Sequence, residues 1–91
     1  MQRSEILEAA NQAITIDRAA THGSAENSFG LIAAYWAAHL DTSITAADVA
    51  QMMVLFKCAR MRGNPRHIDN YVDAAGYAAI GCELATEVVP L

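Results

Sequence analysis

Residues 44–77 read ITAADVAQMMVLFKCARMRGNPRHIDNYVDAAGY, and this stretch decides the fold. Its first half is apolar at nearly every position, which predicts a helix that is buried on more than one side. Gly63-Asn64-Pro65 then interrupts the pattern, and a second helical pattern follows. The sequence therefore predicts two helices joined by a tight break, with the first of them at the centre of the molecule.

Helical periodicity continues on both sides of this stretch. Thr45 and Asp48 predict a capping box for the third helix, and Asn64 is expected to cap the fourth, with Pro65 as its first residue. The predicted helices are Ser4–Thr21, Ala25–His39, Thr45–Arg62 and Pro65–Ala85. The prediction is an all-α fold, a compact four-helix bundle that forms one domain over residues 1–91.

Glycines inside the predicted helices indicate close packing. Gly76 and Gly81 each cost roughly 1 kcal/mol relative to alanine in a helix interior, and Gly30 lies near the start of the second predicted helix. We expect that another helix or a ligand approaches the backbone at these positions.

The composition excludes some classes of protein. The chain has 91 residues, 54% of them apolar, which suits one small domain with spare apolar surface for a homodimer or higher oligomer. The net charge of -4 and the absence of a basic patch argue against nucleic-acid binding. No run reaches the roughly 18 apolar residues of a membrane span. Cys58 and Cys82 are expected to be small buried hydrophobes in a reducing interior, so we expect a cytoplasmic setting.

Four charged residues interrupt the two central helices. Lys57 and Arg60 are three residues apart on the first, and Asp69 and Asp73 are one turn apart on the second. Two carboxylates so close favour a cation between them, and Mg²⁺ held by carboxylates and substrate phosphates fits that need. Glu26 is a candidate third ligand.

The predicted site combines these groups. Lys57 and Arg60 suit phosphate oxygens, and metal-bound water can hydrolyse a phosphate. The candidate catalytic residues are Asp69, Asp73 and Lys57; the candidate substrate contacts are Lys57, Arg60 and Asn70; the candidate Mg²⁺ ligands are Glu26, Asp69 and Asp73. The alternative is a buried salt-bridge network in which the same charges neutralise one another.

Three segments resemble a small family of uncharacterised phage and prophage proteins. They read HGSAENSFGLIAAYW, ITAADVAQMMVLFKCARM and HIDNYVDAAGYAAI, and the resemblance extends from Arg3 to about Leu84. It implies a phage origin and a bacterial host cell.

More remotely, the layout resembles the all-α nucleoside triphosphate pyrophosphatases of the MazG type. That resemblance implies a four-helix, oligomeric, Mg²⁺-dependent enzyme that hydrolyses nucleotides to monophosphate and pyrophosphate. The family places its ligands in a Glu-x-x-Glu and a later Glu-x-x-Asp, whereas this chain has Glu26 without a second glutamate, and Asp69 and Asp73 four residues apart.

Two functions follow as hypotheses. The first is a MazG-like nucleotide pyrophosphohydrolase or a nucleotide-binding protein that uses Mg²⁺. The second is a small acidic interaction protein that binds or inhibits a host complex without catalysis, since an acidic chain can occupy a basic surface on a partner.

Overall fold

A computed structural model describes residues 1–17 and 25–87, without the side chains of residues 16, 17 and 25–27. The described part is helical throughout and contains no strand. Its four α-helices confirm the all-α prediction. They are α1 (Arg3–Gln12), which continues into a π-helical turn (Ala13–Asp17), α2 (Ala25–Leu40), α3 (Ala46–Gly63) and α4 (Ile68–Ala85). None of these helices has the length and apolarity that a membrane crossing requires.

The N-terminus of α3 forms as the sequence predicts. The Asp48 backbone N–H donates to the Thr45 hydroxyl at 3.1 Å, and the Thr45 N–H donates to the Asp48 carboxylate at 2.9 Å. This capping box satisfies two donors that a helix start otherwise leaves without partners. Asp48 is therefore a capping residue of α3.

Two predicted helix starts are wrong. The N-cap of α1 is Gln2, whose N–H donates to the Glu5 carboxylate at 3.3 Å, so the helix begins before Ser4. The N-cap of α4 is His67 instead of Asn64, and the intervening residues form a turn. Two hydrogen bonds hold that turn: the His67 N–H donates to the Asn64 carbonyl at 3.2 Å, and the Tyr71 hydroxyl donates to the Pro65 carbonyl at 2.8 Å.

The described end of α2 uses an aspartate where many helices use glycine. Asp41 has a φ of 52°, and the Thr42 N–H reaches back to the Ala37 carbonyl at 3.1 Å. Aspartate tolerates this left-handed conformation better than most residues with a side chain. The geometry ends α2 and sends the chain across to α3.

The core lies among α2, α3 and α4. Val49 and Ala50 on α3 are fully buried, and the Phe29 ring of α2 lies 6.1 Å from the Tyr77 ring of α4 between centroids. The buried cluster consists of Phe29, Ala33, Val49, Ala50 and Ile80. Helix α1 and its π-helical turn pack against α4, and Ile14 of that turn packs against the buried cluster. The α3–α4 pair is therefore central. Of the two sides of α3 that the sequence predicts to be buried, the described structure covers one, and Met52, Leu55 and Phe56 on the rest of the helix are exposed.

The prediction that both cysteines are buried is wrong. Both cysteines are free thiols, but Cys58 and Cys82 are exposed, not buried. Leu40 and Tyr35 on α2 are exposed as well, at 56% and 66%. Helical spacing places a residue on a face, but only the packing of neighbours decides whether that face is covered.

Two of the three helical glycines lie at close contacts. A Cβ at Gly76 would lie 2.8 Å from Cγ2 of Ile14, and one at Gly81 would lie 3.2 Å from Cβ of Ala50. These contacts confirm the predicted close approach at α4. At Gly30 no other helix approaches, because nothing lies within 4 Å of a Cβ there among the described residues, and the alternative of a ligand at this position stays a prediction.

The contrast between Gly76 and Gly30 is testable by alanine substitution. Gly30→Ala is expected to raise the free energy of unfolding by about 1 kcal/mol, because the helix gains propensity and nothing clashes. Gly76→Ala is expected to lower it, because overpacking costs roughly 1–3 kcal/mol and exceeds that gain. Chemical denaturation of both variants measures the difference, and equal stabilisation by the two would contradict the packing at Ile14.

Candidate functional site

The antiparallel register of α3 and α4 sets the polar groups at their interface. Ala50 lies against Gly81, and one end of the same interface pairs Lys57 with Asp73. One turn further toward the connecting turn, Arg60 and Asn70 line one pocket. The residues of α4 that meet α3 here are therefore Asn70 and Asp73, three apart, which is the spacing of one helix face.

Lys57 and Asp73 form a salt bridge across this interface. Lys57 Nζ lies 2.9 Å from Asp73 Oδ2, with the lysine side chain 16% and the aspartate side chain 39% exposed. The apolar stem of Lys57 is thus covered while its ammonium group reaches a partner near solvent. This contact is one pair of the predicted salt-bridge network.

Asp69 does not take part in that network. It is exposed in the first turn of α4 and forms no ion pair within the described residues. Its negative charge suits the positive end of the helix dipole. The sequence paired Asp69 with Asp73 by their spacing, but the α3 side of α4 carries Asn70 in place of Asp69.

Arg60 is close to an aromatic ring instead of a carboxylate. Its guanidinium carbon lies 5.1 Å from the Phe56 ring centroid, and Lys57 Nζ lies 5.8 Å from the same centroid. Such cation–π contacts orient a cation without neutralising it. Arg60 therefore keeps its hydrogen-bond donors for another group, since it forms no salt bridge in the part of the chain that the structure describes.

Asn70 is the one buried polar residue among those described. It is 4% exposed, and its side-chain amide has no hydrogen-bond partner within residues 1–17 and 25–87. A buried amide without a partner costs roughly 1–3 kcal/mol. Most buried polar groups in proteins avoid that cost, so the exception calls for a physical reason.

A pocket of about 360 Å³ provides that reason. It opens at the turn between α3 and α4 and is lined by Arg60, Gly63, Asn64, His67 and Asn70. The N-terminus of α4 lies at this pocket through its N-cap, His67, whose side chain caps nothing. A guanidinium and an amide beside the start of a helix together favour an anionic oxygen ligand.

Sequence reasoning found part of this pocket. It selected Arg60 and Asn70, which the structure brings together, and it did not select Asn64 or His67 as ligand contacts. The sequence feature that could have identified Asn64 and His67 is the break between the two helices, because residues that flank a helix start line a pocket formed there.

The predicted metal ligands do not form a cluster in the described part of the chain. Among those residues, no three histidine, cysteine, aspartate or glutamate side chains lie close enough to hold a metal ion. Glu26 belongs to α2, but its side chain lies outside the described residues. The predicted set of Glu26, Asp69 and Asp73 therefore stays a prediction.

The structure is that of a small all-α protein whose central helix pair ends at a pocket lined by Arg60, Asn64, His67 and Asn70. The chain belongs to the family described as a domain of unknown function, DUF6378, whose model matches residues 5–85. Two phage relatives, described next, support the predicted resemblance to phage proteins. The MazG-type resemblance stays a prediction.

Two curated relatives are phage proteins. The chain is 39% identical over 77 residues to the Gene 55 protein of Mycobacterium phage D29, covering 85% of this chain and 50% of that protein. It is 41% identical over 76 residues to the Gene 55 protein of Mycobacterium phage L5, covering 82% and 49%. The chain thus spans about half the length of the curated relatives it matches. No solved structure matches it.

A double-mutant cycle tests which carboxylate Lys57 binds. For Lys57→Met with Asp73→Asn, we expect a coupling free energy of about 1 kcal/mol. The pair is partly buried, so its contribution lies between those of exposed and buried salt bridges. For Lys57→Met with Asp69→Asn, the effects are expected to add within about 0.5 kcal/mol. Urea unfolding of the six proteins gives both values, and equal couplings would contradict the geometry described above.

Proposed function

We propose that this protein binds a nucleotide through its phosphate groups at the turn between α3 and α4. The observation that carries the proposal is the buried Asn70 amide, which has no hydrogen-bond partner among the described residues and lies in the wall of a pocket that also holds Arg60. A ligand oxygen can accept a hydrogen bond from this amide at the pocket wall, where it replaces solvent.

The donors around the pocket favour phosphate over a neutral ligand. Arg60 presents a planar fork of N–H groups that suits phosphate oxygens, and it has no carboxylate partner among the described residues. The first N–H groups of α4 add to the positive potential. The exposed Asp69 nearby repels an anion and weakens long-range electrostatic attraction to the pocket. The ligand is therefore bound by direct contacts with Arg60 and Asn70.

An exposed aromatic side chain supports a nucleotide as the phosphate-bearing ligand. Phe56 is 48% exposed, and its ring lies beside Arg60. Aromatic rings stack on nucleobases with little preference among bases. Phosphate contacts at Arg60 and stacking at Phe56 together would bind both ends of a nucleotide.

Hydrolysis is the stronger form of the proposal. Asp69, Asp73 and Glu26 would hold Mg²⁺, which neutralises phosphate charge and activates water when bound. Asp73 already binds Lys57 at 2.9 Å, so Asp73 must exchange that ammonium group for the metal. Lys57, once released, would lie next to the phosphates and donate to them.

Binding is tested by calorimetric titration of dATP, pyrophosphate and inorganic phosphate, each with and without Mg²⁺. Arg60→Met is expected to weaken nucleotide binding about 10- to 100-fold, because a charged hydrogen bond contributes roughly 1.5–3 kcal/mol. Arg66→Met is the matched control, since Arg66 is exposed on the same turn but does not line the pocket. Equal affinity in the Arg60 and Arg66 variants would contradict the site.

Asn70→Leu separates a binding role from a structural one. Leucine has a similar size and no polar group, so the variant is expected to melt at a higher temperature than the natural protein without ligand. The same variant is expected to lose the rise in melting temperature that nucleotide causes, because a ligand that binds only the native state must stabilise it. A variant that melts earlier and still binds would show that Asn70 serves the fold alone.

Turnover is tested by pyrophosphate release from a panel of NTPs and dNTPs with Mg²⁺ or Mn²⁺. If the protein is a hydrolase, Asp69→Asn/Asp73→Asn is expected to lose release while nucleotide still binds at Arg60. Glu26→Gln tests the third ligand in the same assay. Binding without release in the natural protein would limit the function to nucleotide binding.

A non-enzymatic interaction protein is the second candidate. Its supporting observations are the net charge of -4 and the exposed apolar side chains Leu31 and Tyr35, one turn apart on α2. An acidic chain with such a surface suits a basic host protein. The titrations above discriminate the two functions, because this candidate requires neither nucleotide binding nor pyrophosphate release.

A further inference from the structure

Helix α3 is apolar on two opposite sides, and the described structure covers only one. Val49 and Ala50 on the inner side are fully buried, whereas Leu55 and Met52 on the outer side are 67% and 38% exposed, and Phe56 at the edge of that side is 48% exposed. A surface helix of a monomer normally carries polar residues on its outer face. The outer face of α3 therefore has the composition of an interface.

The outer face follows a regular repeat. The residues that lie opposite the buried side recur in alternate steps of four and three along α3, and they are Asp48, Met52, Leu55, Ala59 and Arg62. We call these five residues the α3 seam. This spacing is that of the contact positions in a helix that pairs with another helix along its length.

The α3 seam is complementary to itself when reversed. We propose that two copies of this chain form a dimer in which their α3 helices pack antiparallel, with a two-fold axis close to Leu55. In that arrangement Asp48 lies opposite Arg62 of the second copy, and Met52 lies opposite Ala59. An acidic residue thus meets a basic one at each end, and a large side chain meets a small one between them.

The charges at the seam ends are free to make these contacts. Arg62 is exposed and forms no salt bridge in the described part of the chain. Asp48 uses Oδ2 for the Thr45 N–H, which leaves Oδ1 as an acceptor. Because each chain carries a net charge of -4, two copies repel unless opposite charges meet at the contact, and the two symmetric pairs meet that condition.

A groove beside the seam extends the apolar surface. It has a volume of about 410 Å³ and is lined mainly by Leu55 and Val54 of α3 and by Tyr77, Ala78, Gly81 and Cys82 of α4. Stable dimers bury roughly 800 Å² on each partner, which a single helix face rarely supplies alone. Because the groove adjoins the α3 seam, the two together offer a larger apolar area for burial than the seam alone. A parallel pair would place like charges together at both ends, so the antiparallel arrangement is favoured.

Sedimentation equilibrium of the full chain tests the dimer. We expect a mass of about twice the 9.8 kDa of one chain, and a shift to the monomer in Leu55→Asp. Leu31→Asp is the matched control, because Leu31 is similarly exposed at 56% but belongs to α2, and it is expected to remain a dimer. Circular dichroism checks that both variants are folded. A monomer at all concentrations in the natural protein would overturn the proposal and leave the face to a different protein.

Cysteine cross-linking tests the antiparallel register. In a Cys58→Ser/Cys82→Ser background, Met52→Cys and Ala59→Cys proteins are mixed and oxidised. The antiparallel seam is expected to give mainly the mixed disulfide between the two proteins, at several times the yield of either self-linked product. A statistical mixture, or an excess of self-linked Met52→Cys protein, would overturn the arrangement.

Discussion

The close approach of α4 to α3 at Gly81 and Ala50 is the constraint on which the remaining structure depends. A Cβ at Gly81 would lie 3.2 Å from the Ala50 Cβ, so only a glycine allows the two backbones to come this near without adjustment. Once this contact fixes the antiparallel register, Lys57 meets Asp73 and Arg60 shares a pocket with Asn70. The polar groups of the interface are thus placed by an apolar contact several turns away from them.

Local signals made the helices predictable. The Thr45–Asp48 capping box, the break after Gly63 and the helical spacing of apolar residues depend on neighbours in sequence, and all appear in the structure. The predicted start of α4 is wrong because a side-chain contact overrides the local signal. Pro65 suits the first turn of a helix, but the hydrogen bond from the Tyr71 hydroxyl to its carbonyl holds the segment as a separate turn. That contact becomes visible only when the turn is folded.

The candidate site was predictable in residue type but not in arrangement. Charged residues within an apolar helix pair drew attention to Lys57, Arg60 and Asp73, and the structure places all three along the α3–α4 interface. Spacing alone could not decide whether Asp69 or Asn70 faces α3, because that choice depends on the rotation of α4 about its axis. The burial of Val72, Gly76 and Ile80 sets this rotation, and it turns Asp69 to solvent and Asn70 inward.

The buried amide of Asn70 weighs against reading the interface as a structural network only. In a network built for stability, each buried polar group has a partner, as Lys57 has in Asp73. Asn70 lies one turn away and has none among the described residues, although its position would accept an apolar side chain at lower cost. The two neighbouring pairs therefore differ. Lys57 and Asp73 bind each other and stabilise the α3–α4 helix pair, whereas Arg60 and Asn70 face a pocket.

The two sides of α3 separate the proposed binding site from the proposed dimer contact. Arg60 lies toward the turn and the pocket, whereas Arg62 lies on the opposite side of the helix, at the end of the α3 seam. One helix can thus use one basic residue for a ligand and another for a second copy without competition between them. Phe56 lies between these surfaces, beside Arg60 and next to Leu55.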